Sequence, residues 1–260
     1  MKKSRLTDVL EQIDIHDHLC LIYETREEQF EAAIPFICIG LLRGEKCVYI
    51  ADENTAENVL RQMDALGINS QEYLARGALV IASKNESYLR SGFFDPDAMI
   101  AFLHDTEQEA LRLGFTALRV TGEMTWALGG DPGAERLIEY ENKLNLFFPT
   151  HRCLGICQYN RSRFGAEVIR DIIYTHPLVI YGGAVCENFY YIPPEEFNHP
   201  DREAKMVSRF LNTLRVRAQE AIAREDDRGQ ELAWLNLLHT VPTTTTAQIF
   251  GTQPLKEACL

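Results

Sequence analysis

The chain has 260 residues, 46% hydrophobic and 25% charged, a composition that indicates a soluble globular protein and excludes a disordered one. Its formal net charge is −12, from 38 acidic against 26 basic side chains, so the clustered Lys and Arg of a nucleic-acid binder are missing. No apolar run is long enough to span a membrane, and MKKSRLTDVLEQ has no apolar core for a secretory signal. Seven cysteines, an odd number without framework spacing, point to a reducing cytoplasm.

In chain order, residues 6–15 predict a short helix or lead-in, and 19–23 a strand covered on both faces. The next loop, YETREEQ, stands where a nucleotide-binding α/β domain carries its phosphate loop. Such a loop holds phosphate with the backbone N–H groups of a Gly-rich turn and a lysine. Here Glu24, Glu27 and Glu28 stand against Arg26, with no glycine and no lysine, and would repel a triphosphate. A helix is predicted over 27–43, from Phe30, Ala33, Ile34, Ile37, Ile39 and Leu41 at near-helical spacing, with Gly44 as its stop. Strands follow at 46–51 and 78–82, around a helix over 56–66 ended by Gly67.

Asp95-Pro96 and Asp131-Pro132 each offer an N-cap followed by proline at the first helical position. They predict helices to about 113 and about 147, on either side of a strand at 115–121. A strand at 153–159, a helix at 164–174 and a strand or hairpin arm at 178–181 complete the pattern. Alternating strands and helices predict a three-layer α/β/α domain with a mostly parallel sheet. Ligands of such sheets bind at the strand carboxyl ends. Those ends carry Tyr23 and Glu24, then Asp52 and Glu53, then Glu123, then Tyr159 and Arg161.

Pro193-Pro194 and the Asn198-His199-Pro200 turn mark a boundary. Beyond it Val207, Leu211, Leu214, Ala218 and Ala221 form a short 4-3-4-3 apolar stripe in a strongly helical segment. Residues 240–260 have little periodicity and read as a tail or as the start of a truncated region.

Three constellations could carry chemistry. His16, His18 and Cys20 alternate onto one strand face, with Cys153, Cys157 and Cys186 elsewhere, and His and Cys are zinc-type ligands. No tight ligand pair accompanies them, so structural or ligand-pocket roles are expected. A transition metal such as zinc at His16, His18, Cys20 and Cys157 is the alternative. Arg119, Glu123, Met124, Thr125 and Trp126 form either a pocket floor at a strand end or a capping Glu with a core Trp. Gln158, Tyr159, Asn160, Arg161 and Phe164 either orient a ligand or pair Arg161 with Asp52, Glu53 or Glu123. His176-Pro177 and the aromatics Phe189, Tyr190 and Tyr191 read as architecture, the aromatics covering a core edge. No serine-hydrolase or HExxH pattern is present.

HDHLCLIYETREEQ, GLLRGEKCVYIADEN, RVTGEMTWAL, ICQYNRSRF and HPLVIYGGAVCENFYYIPPEEF together resemble the MEDS domain, the methanogen/methylotroph, DcmR-type sensory domain. The resemblance covers about residues 14–197, leaving 1–13 as a lead-in and 198–239 as a helical signalling segment. It implies a sensory module for small hydrocarbon derivatives such as one-carbon compounds. Members are fused to histidine kinases, other sensors or DNA-binding regions, which implies a kinase or regulator as partner. GEKCVYIADE and GINSQEYLARGALVI are also similar, more distantly, to KaiC/RecA-like ATPases. The Walker A lysine is missing, and Gly122 or Glu123 stands where the Walker B Asp would.

The expected function is therefore a cytoplasmic sensor, not an enzyme. It would bind a small ligand through His18, Cys20, Tyr23, Glu24, Arg26, Asp52, Glu53, Arg119, Glu123, Trp126, Tyr159 and Arg161. A homodimer through the C-terminal helix would be the output. The alternatives are an ATPase or phosphotransferase with a phosphate site built from Arg26, Arg119 and Arg161, and an interaction module without ligand. A crevice filled by the chain's own side chains would favour the module.

Overall fold

The computed structural model describes residues 5–228, and contacts divide it into two units that meet between His199 and Pro200. The first unit is built on seven strands in the order β3-β2-β4-β5-β1-β6-β7. These are β1 (His18–Tyr23), β2 (Lys46–Ala51), β3 (Leu79–Ser83), β4 (Leu118–Glu123), β5 (Cys153–Asn160), β6 (Leu178–Tyr181) and β7 (Ala184–Glu187). Strands β1 to β6 run parallel, and β7 turns back on β6 as the antiparallel arm of a hairpin. The parallel run brings six strand carboxyl ends to one edge.

On one face lie α1 (Arg5–Leu10), α2 (Arg26–Leu42), α3 (Ala56–Ala65) and α4 (Ser70–Ala75). The other face carries α5 (Pro96–Arg112), α6 (Leu137–Phe147) and α7 (Ala166–Thr175). Because strand side chains alternate, Leu19, Leu21, Tyr23 and Tyr49 enter the α2 core, while Cys20, Ile22, Val48, Val120, Cys157 and Tyr159 enter the α6 core. A short α8 (Pro194–Phe197) ends the unit. In the second unit α9 (Arg202–Arg228) carries Val207, Phe210, Leu211 and Leu214 at its surface. Expectations for 229–260 lie outside the described residues. Among the described residues no helix is long and apolar enough to cross a membrane.

Helix α2 starts as its sequence dictates. Thr25 is its N-cap, and Glu28 reaches back to the Thr25 backbone in a capping box. It is buried on nearly every side, and α1 packs Leu6 and Leu10 into the same core. Asp95-Pro96 opens α5 as expected. Asp131-Pro132 does not open α6: Phe94 N–H donates to the Pro132 carbonyl (2.8 Å), and Gly133 has φ 89° with no room for a Cβ against the Phe94 backbone. The chain there is pinned to the loop before α5, and α6 begins only at Leu137. Helix α4 was not expected, since its six residues are too few to show a period.

Candidate functional site

At the carboxyl edge the side chains satisfy one another. Glu123 ends β4 fully buried, and one of its carboxylate oxygens accepts three successive backbone N–H groups, from Asp52 (2.9 Å), Glu53 (2.7 Å) and Asn54 (3.0 Å). Its other oxygen accepts the Tyr49 hydroxyl (2.8 Å) and the Asn54 amide (2.7 Å). Burial first, and then the Glu123 charge, push the Tyr49 hydroxyl well above its ordinary range. Asn54 also donates to Gln29 (2.9 Å), Gln29 to Gln158 (2.8 Å), and Gln158 to Thr121 (2.8 Å). Successive N–H groups converging on one oxygen are an anion cradle, and here the anion is the chain's own carboxylate.

The exposed rim is equally self-paired. Arg161 binds Glu24 (2.9 Å) and the Tyr181 hydroxyl (2.8 Å), rather than Asp52, Glu53 or Glu123. Arg163 pairs with Glu53, and Lys84 with Asp52 (3.2 Å), which also accepts the Thr125 hydroxyl (2.8 Å). Tyr23 is buried beside this network, its hydroxyl raised by burial and then by Glu123.

Several predicted residues lie elsewhere, His18, Cys20 and Tyr159 in the α6 core among them. Arg119 sits near the amino end of β4, fully buried, with Nε 2.5 Å from Glu45 and its guanidinium 4.4 Å from the centre of the Phe36 ring. Gly40 makes room for it, because a Cβ there would lie 2.5 Å from Arg119 Cδ. Arg26 is exposed and lines a groove of about 710 Å³ on the outer side of α2. Arg26, Arg119 and Arg161 therefore do not converge. Trp126 is a core side chain, stacked on Tyr88 (4.8 Å) and against Phe94 (4.5 Å). Phe189 and Tyr190 are about half exposed and pack on each other, and Tyr190 lies beside Phe164, Ile169 and Ile173 at the edge of the core under α7.

A second cluster lies inside the α6 core. His18, Glu141, Cys157 and His176 are all buried, and their donor atoms lie within 4.8 Å of one another. Glu141 Oε2 is 3.3 Å from His18 Nε2 and 3.2 Å from His176 Nε2, and Cys157 Sγ is 3.7 Å from His18 Nε2. The Tyr159 hydroxyl donates to the second oxygen of Glu141. His18 Nδ1 meets the Asn145 carbonyl (2.9 Å), and His176 Nδ1 meets the Ile172 carbonyl (2.7 Å). Burial, then the neighbouring His176, lower the His18 pKa, against the pull of Glu141 and Asn145. Burial alone would raise the Glu141 carboxyl, but the two imidazoles outweigh it and leave the group ionised. Burial, followed by the Glu141 charge, pushes the Cys157 and Cys20 thiols well up.

This cluster keeps His18 and Cys157 of the predicted metal set and replaces the other two. His16 turns away to the Phe148 carbonyl (3.0 Å) at φ 93°, and Cys20 lies in the same core outside the group. His176, expected as architecture, lies fully buried in this cluster. Next to Cys157, a cavity of about 10 Å³, room for one water-sized molecule, is lined by Tyr88, Val120, Gly122, Tyr140, Phe148 and Gly155. Gly122 keeps it open, since a Cβ there would lie 2.0 Å from the Tyr88 hydroxyl.

The chain is 25% identical over 168 residues to the transcriptional repressor DcmR of Methylorubrum extorquens, covering 63% of this chain and 59% of that protein. It therefore spans less than two thirds of that relative's length. Flagellar accessory protein FlaH of Methanocaldococcus jannaschii shares the fold at a TM-score of 0.50, with 13% identity over 71% of this chain and 82% of FlaH. A KaiC-like protein of Pyrococcus horikoshii aligns at a TM-score of 0.45, with 16% identity over 63% and 69% of the two chains. Residues 17–177 match the MEthanogen/methylotroph, DcmR Sensory domain, and the chain belongs to this MEDS family, on a three-layer α/β/α fold shared with FlaH.

Proposed function

We propose that this chain is the sensory module of a cytoplasmic prokaryotic regulator, without catalysis of its own. In this reading a small ligand, a simple hydrocarbon derivative, is held in the α6 core beside Cys157, not in the crevice at the strand ends, and the lining side chains part to widen the cavity of about 10 Å³ that admits it. The observation that carries the reading is the pairing of a self-occupied phosphate place with a buried cluster of polar groups next to a cavity. Glu123 fills the cradle that an anionic ligand would need, and α2 is capped by Thr25 and Glu28. The core, by contrast, carries two imidazoles, a carboxylate and a thiol, groups that are costly to bury and need a purpose.

The name of the 25% relative, a transcriptional repressor, supports an output in transcription. With 38 acidic against 26 basic side chains the chain has no global electrostatic footprint for DNA, so a partner protein such as a histidine kinase or regulator would carry that output. A ligand that binds one conformation better shifts the population towards it. Helix α9 would report the shift by pairing with a second copy along Val207, Leu211 and Leu214, which are exposed and follow a self-complementary 4-3 spacing. Val207→Asp with Leu214→Asp is expected to convert a dimer to a monomer in light scattering and to abolish the ligand response. Unchanged mass and unchanged response would sink this lever. The filled crevice also favours a second reading, an interaction module without ligand. That module would show the same dimer and no ligand-dependent thermal shift.

A further inference from the structure

We infer that His18, Glu141, Cys157 and His176 form a binding site for one divalent transition-metal ion, zinc by its chemistry. The inference rests on the reading of the α6 core as the functional region and names what that core holds.

The argument begins with hydrogen-bond direction. Asn145 Nδ2 donates to the Thr175 carbonyl (2.6 Å) and to the Glu141 carbonyl (3.2 Å), which fixes Asn145 Oδ1 as the acceptor facing His18. His18 Nδ1 must therefore carry the hydrogen. His176 Nδ1 faces a carbonyl and must carry one too. Both rings therefore turn their other nitrogen, Nε2, towards the same Glu141 Oε2, at 3.3 and 3.2 Å. Two imidazole nitrogens, a carboxylate oxygen and, 3.7 Å from His18 Nε2, the Cys157 sulfur converge on one point. Glu141 Oε2 and His176 Nε2 are buried without a hydrogen-bond partner among the described residues, although they lie 3.2 Å apart. Such an arrangement asks for a cation at the common centre. Fixing each ring through its other nitrogen is how metal-binding histidines are held.

The spacing agrees. In a tetrahedron with bonds of about 2.05 Å to N or O and about 2.3 Å to S, N···O edges are about 3.3 Å and N···S edges about 3.6 Å. The structure has 3.2 and 3.3 Å for the first kind and 3.7 Å for the second. The charges also balance. A carboxylate and a thiolate neutralise a divalent ion, so the filled site is neutral in a core that would penalise net charge. On binding, Cys157 releases its thiol proton to solvent and the sulfur forms the metal bond. Two imidazoles, a thiolate and a carboxylate are a borderline set that suits zinc over magnesium or calcium. The four ligands come from β1, α6, β5 and the residue after α7, so one ion would tie four elements together.

The test is metal analysis of the purified full chain, followed by exchange of cobalt for zinc. One metal per chain is expected, with a tetrahedral cobalt spectrum that includes a thiolate-to-cobalt charge-transfer band. Cys157→Ser should lose that band, and His176→Gln should weaken zinc binding at least about 10-fold. Should a variant fail to fold, the wild-type spectrum and its zinc-dependent melting shift still decide the matter. Failure to hold zinc or cobalt after refolding in their presence would overturn the inference. So would a bound ion without the thiolate band, or one lost on His104→Ala, which would move it to the partly exposed His104, Glu107 and His151 group. Metal retention needs no ligand response, so this outcome and that of the sensor reading stay separate.

Discussion

Glu123→Ala is expected to destabilise the chain by about 3 to 5 kcal/mol, read as a lower urea midpoint at constant slope. The substitution removes the acceptor of five hydrogen bonds at once. The Tyr49 hydroxyl and the Asn54 amide would be left buried, and the three N–H groups of residues 52–54 would face an empty cradle. Each stranded buried donor costs about 1 to 3 kcal/mol, reduced where the loop can reach water. Glu123→Gln keeps the volume and one acceptor oxygen but turns an NH₂ group towards donors, so about half that loss is expected. Were both variants within about 0.5 kcal/mol of wild type, the range of ordinary surface substitutions, the carboxylate would not be organising this edge.

The second large effect lies at the other end of β4. Glu45→Ala strands the fully buried guanidinium of Arg119 and should cost about 3 to 5 kcal/mol. Glu45→Leu combined with Arg119→Met removes both charges while keeping most of the volume packed on Phe36. The double variant should therefore return to within about 1 kcal/mol of wild type or exceed it. A double variant as unstable as Glu45→Ala would mean that shape, not charge, governs the site. In the structure Arg119 is packed between Glu45 and the Phe36 ring of α2, which ties that helix to the sheet.

The sheet and most helices were legible because the signals were local. Apolar runs such as Leu19 to Tyr23 give buried parallel strands, and Thr25 with Glu28 is a readable capping box. The GDP at 130–132 misled because the same residues serve a turn when a neighbouring loop supplies the hydrogen bond, and that contact, with Phe94, is long-range. The site was half legible. His18 and Cys157 were visible as ligand types on strands, but Glu141 comes from α6 and His176 from the residue after α7, both far from His18 in sequence. A clue did exist in α6, where Glu141 and Asn145 share the buried stripe with Leu137, Tyr140 and Leu144. Polar residues four apart on a core-facing side mark a buried network. Arg119 gave no such sign, since strand alternation places it on the α2 side while its distance from the strand's carboxyl end decides its role.

The self-paired strand-end edge and the buried polar cluster make opposite predictions for two kinds of ligand. Methyl and amide NMR spectra of the full chain, titrated separately with magnesium ATP and with one-carbon alcohols, aldehydes and halides, would follow both regions at once. The expected result is no ATP-dependent shift at residues 24–29 or 52–54, and a saturable shift of the Val120, Leu144 and Ile156 methyls, which line the cavity, with at least one of the small compounds. Saturable ATP shifts at the strand ends, with the cavity methyls silent to every small compound, would contradict it.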